Sequence, residues 1–560
     1  MSASIAAAQS TFTPALPGQS APAPRPQQQQ NADLPPGTAI LRGHVFAADT
    51  GQPLRKAQVR IMTANAFQEP NPGNPPRENR LTTTDAQGAF EFKEVRAGRY
   101  SLTASKGSYV SMQYGQTRAS EPGKSLEILD AQVVERVDFS LPRGGIITGR
   151  VLDEYGEPMS DVMIAPQRFM YQMGQKRLVG GGRTAVSDDE GEFRIFGVPP
   201  GQYYLQATYR SVMINTSSDN RSGYAPLYFP GTLDPASAQR VTIGVGTEIR
   251  DVVMTMKPVK TGRISGTVLD SKGQPAGGML MVMSGGPFGM TASGAPIRPD
   301  GTFTVGGLAP GEYTLRSMQM GPRPAESEVA FLTVTVGSED VDNLQLRAVP
   351  PSSARGRIVV DAGAALSLPS RLMVSMQPVQ FAPMMNGPMQ PGTVAEDMTF
   401  ELKATPGRYR ISLGPGAAGW SVRSVHMNGA NVTDSGFEIK AFEDVSGLEV
   451  ELTNKLSTIS GVATNARGEV SKDYTAVVFA QDPERWKIGR YQTSSRPDQD
   501  GKFKFTGLPE GEYYIVAVDR VETGEAADPE FLEKVRTKAS LLTVHEGDTK
   551  TVDLRVQTLS

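Results

Sequence analysis

The chain has 560 residues, with 59 glycines, 42 prolines, no cysteine and a net charge of −3. This length exceeds what one hydrophobic core supports, so several domains are expected, and the glycine and proline content argues against long helices. Without cysteine, disulfides and thiolate metal sites are excluded, and the near-neutral charge without Lys/Arg blocks argues against nucleic acid as a partner.

The N-terminal segment, residues 1–38, is rich in Pro, Gln and Ala and is predicted to be a disordered tail. Ala6, Ala7 and Ala8 before Gln9 look like the end of a signal peptide, although a basic start and a full hydrophobic stretch are missing. We therefore expect a periplasmic, outer-membrane-associated or secreted protein whose signal peptide is incomplete here. An Ala-rich cytoplasmic tail is the alternative. No apolar run is long enough to predict a membrane-spanning helix.

Five copies of a Gly-x-Tyr motif follow the tail and recur about every hundred residues, the size of a small β-domain. Their tyrosines are Tyr100, Tyr203, Tyr313, Tyr409 and Tyr513. Each copy is preceded by a strand that opens with Gly, such as "ITGRVLDEYGEPM" or "ISGTVLDSKGQPA". The repeat predicts five β-sandwich domains at residues 39–143, 144–258, 259–349, 350–455 and 456–560, the fourth being divergent.

An Asp/Gly turn with alternating aromatic residues lies just before most copies of the motif, as in "DAQGAFEF" and "DQDGKFKF". The fourth unit has "EDMTFEL" without the Gly, so we expect a turn of a different type there. Each unit closes with a strand of alternating apolar and polar residues, such as Val137, Phe139 and Leu141. This pattern predicts an all-β chain of sandwiches in which each strand has one buried and one solvent-exposed face. Residues 528–536, "DPEFLEKVR", are the exception and predict a short helix capped by Asp528.

The loop "FTGLPEGEYYIVAV" could be read as catalytic, because it holds two carboxylates and a phenol. The residue between Gly and Tyr, however, changes charge from copy to copy, from Arg99 and Arg408 to Glu312 and Glu512. A general acid or base does not tolerate that change, whereas a solvated turn does. We interpret the motif as a tyrosine corner, in which the ring packs inward and its hydroxyl bonds to upstream backbone.

These motifs together resemble the carboxypeptidase regulatory-like domain family. The resemblance implies tandem transthyretin-like or Ig-like Greek-key β-sandwiches, related to carbohydrate-binding-like folds, over residues 39 to 558. The fibronectin type III fold is the main alternative to this fold. The family name does not imply a peptidase, because in carboxypeptidases this domain accompanies a separate zinc domain with a His-x-x-Glu motif. Here His44 is followed by Val45, Phe46 and Ala47, so no enzyme activity and no cofactor are expected.

Three weaker chemical readings stay open. An irregular calcium site could form at the Asp/Gly turns, for instance at Asp188/Asp189 or Asp498/Asp500. A loop with Met384, Met385 and Met389 offers thioethers that select Cu(I), against the alternative of a flexible loop. A hydrolase with a carboxylate pair is a third alternative, since 59 acidic residues exclude it only by the lack of a motif.

Aromatic residues outside the repeat pattern are the candidate ligand-binding residues, because proteins and sugars both dock on exposed rings. They are Trp420, Trp486, Tyr228, Phe229 and Tyr114. The alternative is that each ring caps the core of its own domain. The sequence thus predicts a non-enzymatic modular cell-envelope protein acting in structural presentation or protein binding, with carbohydrate binding through loop aromatics as the alternative. The partner would be an envelope protein or a polysaccharide.

Overall fold

The computed structural model describes residues 36–63, 78–172, 175–209, 222–286, 289–318, 327–337, 339–360, 368–369, 372–379, 391–414, 417 and 419–559. Residues 1–35, which hold most of the predicted tail, and the candidate copper ligands Met384, Met385 and Met389 lie outside these ranges. Strands dominate the described part, and no helix in it is long and apolar enough to cross a membrane.

The first sandwich consists of two sheets. Its strands are β1 (Ala39–Ala47), β2 (Gln58–Thr63), β3 (Asn79–Thr83), β4 (Ala89–Val95), β5 (Gly98–Ser105), β6 (Met112–Gln113), β7 (Leu126–Ile128), β8 (Val133–Val134) and β9 (Phe139–Leu141). In one sheet β1 pairs antiparallel with β4 and parallel with β8 and β9. The other sheet has the order β3-β2-β5-β6, and β7 also pairs with β5.

The second sandwich repeats this plan. Its strands are β10 (Gly145–Leu152), β11 (Val162–Gln172), β12 (Gln175–Gly180), β13 (Ala185–Val186), β14 (Glu192–Val198), β15 (Gly201–Tyr209), β16 (Ser222–Tyr224), β17 (Leu227–Tyr228), β18 (Val241–Ile243) and β19 (Glu248–Thr255), followed by β20 (Pro258–Lys260). The sheet β14-β10-β19 packs on the sheet β12-β11-β15-β17, and β16 pairs with β20 at the junction with the third sandwich. A 3-10 turn covers Pro235–Ser237.

The third and fourth sandwiches again consist of two sheets each. The third contains β21 (Gly262–Leu269), β22 (Gly278–Gly286), β23 (Gly289–Ile297), β24 (Thr302–Leu308), β25 (Gly311–Met318), β26 (Phe331–Val336) and β27 (Val341–Arg347). The fourth contains β28 (Ser352–Val360), β29 (Met373–Pro378), β30 (Gly392–Thr393), β31 (Thr399–Ala404), β32 (Gly407–Leu413), β33 (Ser421–Met427), β34 (Ala430–Asn431), β35 (Phe437–Ile439) and β36 (Val445–Thr453). Although divergent in sequence, the fourth pairs β28 with β31 and β36 as the others do.

The fifth sandwich carries the helical insert. Its elements are β37 (Thr458–Thr464), β38 (Thr475–Ala480), β39 (Gln492–Ser495), β40 (Lys502–Thr506), β41 (Gly511–Val518), α1 (Pro529–Arg536), β42 (Ser540–Val544), β43 (Thr549–Thr551) and β44 (Leu554–Gln557), with 3-10 turns at Pro483–Lys487, Gly489–Tyr491 and Glu525–Ala527. The predicted short helix is confirmed: Asp528 caps it by accepting from the Glu530 N–H, and Pro529 takes the first position.

One shared feature explains the Gly that opens each unit. In every sandwich the first strand pairs in parallel with the last, and a Cβ at the opening Gly would lie 1.9 to 2.4 Å from a carbonyl oxygen of that closing segment. The glycines are Gly43, Gly149, Gly266, Gly356 and Gly461, facing Val137, Val252, Leu344, Leu448 and Val552. Only a residue without a side chain permits this approach of two backbones.

The tyrosine corner is confirmed in all five units. Each tyrosine is buried, and its hydroxyl donates to the carbonyl oxygen four residues upstream at 2.7 to 2.9 Å. In the fifth unit this bond joins Tyr513 to Pro509. Burial raises the pKa of the phenols, that of Tyr313 to about 12.

The turn of the fourth unit differs from our expectation. Gly88 and Gly501 take left-handed φ values of 75° and 84° in their turns. Met398 takes the same place with φ 64°, and its N–H donates to Ala395 as Gly501 donates to Asp498. The expected change of turn type is therefore wrong. The turn keeps its hydrogen bonds and places a strained non-glycine residue in it.

Candidate functional site

The five predicted ligand-binding residues lie in five separate clusters. Trp420 belongs to the core of the fourth sandwich and Trp486 to that of the fifth. Tyr228 lies in a small cluster of the second sandwich, while Phe229 and Tyr114 pack against the cores of the second and first. The structure therefore does not bring these rings together into one platform.

The two tryptophans differ in how the indole N–H is satisfied. The Trp486 Nε1 donates to the Ala480 carbonyl oxygen at 2.7 Å, and its ring stacks edge-on against Phe479. Trp420 is 6% exposed, and no hydrogen bond of its indole N–H occurs among the described residues. Trp420 lines the open space described next.

A half-open cleft with a volume of about 520 Å³ lies between the fourth and fifth sandwiches. Trp420 forms part of its wall on the fourth sandwich, and Tyr491 and Leu508 form part of the wall on the fifth. The segment that connects the two sandwiches, including Thr453 and Lys455, also borders it. We refer to this space as the interdomain cleft. Its volume falls within the range typical of small-molecule sites.

Charged side chains surround the interdomain cleft. Arg423, Lys455 and Arg490 line it together with Glu510 and Glu546. Arg423 bridges the two sandwiches, because its guanidinium lies 3.4 Å from Glu546 and 3.2 Å from Glu451. The Glu546 carboxylate also accepts from the Thr453 hydroxyl at 2.6 Å. The arginines of the cleft therefore lie in ion pairs with carboxylates, because Arg490 also lies 3.9 Å from Asp434.

Tyr491 anchors the two walls of the cleft to each other. Its hydroxyl donates to the Asp434 carboxylate of the fourth sandwich at 2.7 Å. Burial and this carboxylate raise the pKa of the Tyr491 phenol, so it stays a donor at neutral pH. Guanidinium groups of Arg485 and Arg490 lie 4.8 and 5.4 Å from the ring centre.

The fifth sandwich also contacts the first. The loop around "EPGKS", residues 121–125 of the first sandwich, contacts the fifth sandwich. Lys124 donates to the Lys472 carbonyl, and the Thr523 N–H donates to the Ser120 carbonyl at 2.7 Å. Lys176 of the second sandwich lies 3.5 Å from Glu530 on α1. The five units therefore do not form an extended string, because the last one contacts the first, second and fourth.

Buried charges hold this contact between the first and fifth sandwiches. Arg496 donates to the Gly115 carbonyl at 3.0 Å and to Asp473 at 2.7 Å, and lies 4.0 Å from Glu121. The Glu121 carboxylate accepts from the Thr117 hydroxyl at 2.9 Å. We call this group of residues the interlock. Nearby, burial raises the pKa of the Glu525 carboxyl above its ordinary value.

Two of the four candidate calcium ligands, Asp188 and Asp498, accept hydrogen bonds within their own turns. Asp188 accepts from the N–H groups of Glu190 and Glu192, and Asp498 from those of Asp500 and Lys502. Within the described ranges, no three His, Asp or Glu side chains lie close enough together to hold a metal ion.

Sequence reasoning identified Trp420 but not the other residues around it. Arg423, Arg490 and Glu546 fall outside the repeated motifs and carry no spacing signal. Glu121 and Arg496 are likewise far apart in sequence. The "EPGKS" segment, residues 121–125, is only an incomplete phosphate-binding motif, since Arg118 stands where the first Gly is needed.

Several solved structures are similar in part, at low identity. A streptococcal ancillary pilin is 14% identical, with a TM-score of 0.20, and the match covers 55% of this chain and 98% of that one. The Bacillus anthracis TIE protein is 14% identical, with a TM-score of 0.16, and 74% of each chain is covered. A putative carbohydrate-binding protein from Pseudomonas aeruginosa is 18% identical, with a TM-score of 0.13, covering 20% of this chain and 97% of that one. These likenesses say nothing about what the chain binds.

No curated protein matches this chain. A family match exists for the first sandwich, where the opening Gly strand, the Asp/Gly turn and the tyrosine corner follow one another. Residues 40–141 match the carboxypeptidase regulatory-like domain, which confirms for this unit the family resemblance inferred from its sequence.

Proposed function

We propose that this chain is a non-enzymatic, modular cell-envelope protein that presents its loops to protein partners from a rigid scaffold. The interlock between the first and fifth sandwiches is the observation that supports this function. If the domains moved independently, binding one partner through several loops would cost conformational entropy. Loops on domains in fixed contact avoid that cost, because their relative positions are already set. Location in the periplasm, at the outer membrane or outside the cell is part of the proposal.

The buried charges at the interlock favour a permanent contact over a transient one. The side chains of Glu121 and Arg496 are 1% and 4% exposed. Separating the two sandwiches would take the Gly115 carbonyl away from Arg496 and the Arg496 cation away from Glu121, although water would compensate for part of the loss. Backbone hydrogen bonds such as that from Thr523 to Ser120 fix the relative orientation of the two units.

Engineered disulfides can test the scaffold, because the chain has no cysteine of its own. A Ser120→Cys/Thr523→Cys variant should form an intramolecular crosslink on mild oxidation and migrate faster on a non-reducing gel. Each single variant is the matched control and should not change mobility. Small-angle X-ray scattering should give the same dimensions for the crosslinked and the wild-type chain. An extended wild-type chain that contracts only on crosslinking would overturn the scaffold.

Partner binding is the second half of the test. Crosslinking in isolated envelope, with photoreactive residues at exposed positions such as Tyr155, should capture defined proteins. The capture should persist in the Ser120→Cys/Thr523→Cys variant after oxidation, because the locked chain is the proposed active form. Hydrolysis of a peptide or glycan library that a single Asp or Glu change abolishes would instead identify an enzyme.

Carbohydrate binding is a second candidate function, favoured by the position of Trp420 on the wall of the interdomain cleft. A glycan array probed with the wild-type chain tests it, with Trp420→Phe as the comparison and Trp486→Phe as the control outside the cleft. Signals lost only in Trp420→Phe would support this function. An array without any signal would count against it and leave the scaffold proposal intact.

A further inference from the structure

We infer that the closing strand of the third sandwich, β27, is a docking edge that pairs with an extended strand of a protein partner. The inference rests on the proposed protein-binding function and names the form in which a partner is bound. It concerns the free edge of one sheet and depends neither on the interlock nor on the interdomain cleft.

The third sandwich leaves part of its core open along the side where β26 and β27 lie. Leu332 and Val334 of β26 and Leu344 of β27 pack against the core but are only partly buried. Val334 lies opposite Tyr313, the corner tyrosine of this unit. In the other four units the residue opposite the corner tyrosine is buried. These four residues are Leu126, Val241, Phe437 and Leu542. The third unit therefore exposes apolar surface that the other units cover.

The fourth sandwich covers the same side with a strand of its own. There β33 pairs antiparallel with the closing strand β36, and its Met427 lies opposite Leu448. Leu448 corresponds to Leu344 of the third unit, because both lie opposite the opening glycine of their unit. With β33 in place Leu448 is buried, whereas Leu344 is not. The fourth unit thus shows how an added strand completes this side of the fold.

The third sandwich begins the same arrangement but does not continue it. Val329 and Val349 exchange two backbone hydrogen bonds at 3.0 Å, at the place where Ser421 pairs with Thr453 in the fourth unit. After Ser421 the chain forms β33, whereas after Val329 it enters β26. Residues 319–330, between β25 and β26, are also fewer than residues 414–436, which include β33 and β34. Within the described ranges, β27 therefore lies at the edge of its sheet with β21 as its neighbour.

Backbone groups of β27 point outward at this edge. The Ala348 N–H donates to the Leu269 carbonyl of β21 at 2.7 Å. Because the direction of these groups alternates along a strand, those of Gln345 and Arg347 face away from β21. In the part of the chain that the structure describes, no backbone hydrogen bond joins these outward groups to another segment. Free N–H and C=O groups along an uncovered edge are where an added strand attaches.

The charge on β27 indicates which residue the partner strand carries. On β36, Glu451 accepts from the Ser424 hydroxyl at 2.7 Å and lies 3.2 Å from Arg423, both of which belong to β33. The matching position on β27 is Arg347, whose guanidinium makes a hydrogen bond of 3.3 Å to the Ser271 carbonyl. Opposite charges are favoured at facing positions of an antiparallel pair. The partner strand should therefore place an acidic residue opposite Arg347, with apolar residues on either side of it.

Binding of short labelled peptides to the full chain, measured by fluorescence anisotropy, tests the inference. A peptide with the central sequence VEVTV places its Glu opposite Arg347 and its Thr opposite Gln345, and it should bind. VEVPV lacks the N–H that faces Gln345 and should bind about tenfold more weakly, because one backbone hydrogen bond is lost. VKVTV should bind more weakly at low salt, since its Lys faces Arg347.

Two variants of β27 complete the test. Gln345→Pro removes an outward N–H and keeps the pairing with β21, so it should weaken the binding of VEVTV about tenfold. Gln345→Thr is the matched control and should bind as wild type does. Arg347→Glu should reverse the preference, so that VKVTV binds more tightly than VEVTV. This reversal would also show that the variant is folded.

Equal binding of VEVTV and VEVPV, or an unchanged preference in Arg347→Glu, would overturn the inference. So would the failure of every peptide to bind, while the crosslinking tests above would still decide the scaffold. Wild-type dimers in analytical ultracentrifugation that Gln345→Pro abolishes would show that β27 pairs with a second copy of this chain, and they would likewise overturn it.

Discussion

Glu121 of the first sandwich and Arg496 of the fifth face each other at 4.0 Å, and both side chains are almost completely buried. About two thirds of the chain length separates them in sequence. Their contact turns a tandem array into a closed arrangement, in which the last unit is held by the first.

Arg496→Met should weaken this arrangement. It removes the donors to Gly115 and Asp473 and one of the two cations beside the buried Glu121 carboxylate, which keeps Arg118 at 3.4 Å. Losing these hydrogen bonds of a charged group costs about 1.5–3 kcal/mol. The midpoint of the first urea-induced transition should therefore fall, and the crosslink between positions 120 and 523 should form more slowly.

Arg250→Met is the matched control for that prediction. Arg250 is paired with Glu248 on the surface of the second sandwich, and such exposed pairs contribute about 0–1 kcal/mol. An Arg496→Met chain with the unfolding profile and crosslinking rate of Arg250→Met would contradict a structural role for the interlock.

Tyr513→Phe tests the tyrosine corner. The change keeps the ring in the core and removes only the hydroxyl that donates to Pro509 at 2.8 Å. Leaving that carbonyl oxygen without its partner should destabilise the fifth sandwich by about 1–2 kcal/mol. Urea unfolding measures it, with Tyr155→Phe as the control, since Tyr155 is 84% exposed. Equal midpoints for the two variants would contradict the role of the corner.

Met398→Gly should stabilise the fourth sandwich. Met398 has a φ of 64°, where glycine carries no steric penalty. The expected gain is about 0.5–1 kcal/mol, because the greater freedom of glycine in the unfolded chain offsets part of the relief. Gly501→Ala in the equivalent turn should have the opposite sign, since its Cβ would lie 2.9 Å from the Ser471 oxygen. Destabilisation by both changes would show that the Met398 turn is unstrained.

Alkaline pH should unfold the chain through its buried tyrosines. In the folded chain the pKa of Tyr313 and of Tyr228 is raised to about 12, mainly by burial. Above about pH 10 the unfolded chain loses these protons while the folded chain still holds them. Stability is thus fully present below pH 10 and decreases as the pH rises toward 12.

Tyrosinate absorbance and circular dichroism, followed in one titration, check the pH prediction. The late-titrating phenols should ionise together with the loss of β-structure. The stability of Tyr313→Phe should decrease less steeply with rising pH than that of wild type, because this variant lacks one of the buried phenols. Ionisation of all 16 tyrosines at pH 10 without unfolding would contradict it.

The repeated part of the molecule could be predicted from sequence because each motif has a local physical cause. The Gly-x-Tyr corner depends on one hydrogen bond between residues four positions apart. Gly461 is required because the backbone of one neighbouring segment leaves no room for a side chain. Such requirements recur in every unit, so the period is visible without a structure. The prediction for the turn of the fourth unit was wrong because the turn keeps its backbone hydrogen bonds without a glycine. Met398 adopts the left-handed conformation that glycine has in the other turns.

The contacts between units could not be predicted in the same way. Arg496 and Arg490 belong to one short stretch of the fifth sandwich, yet one serves the interlock and the other the interdomain cleft. Their roles depend on how whole sandwiches pack, which no periodicity encodes. Trp420 and Trp486 were equal candidates in the sequence, and only the hydrogen bond to Ala480 separates them.

The parallel pairing of first and last strands has a mechanical consequence. Because the two strands run side by side in one direction, the chain enters each sandwich at one end and leaves near the other. Tension along the chain would slide these strands past each other, so that all their hydrogen bonds share the load instead of opening one by one. Each unit is thereby built to resist being pulled apart from its termini.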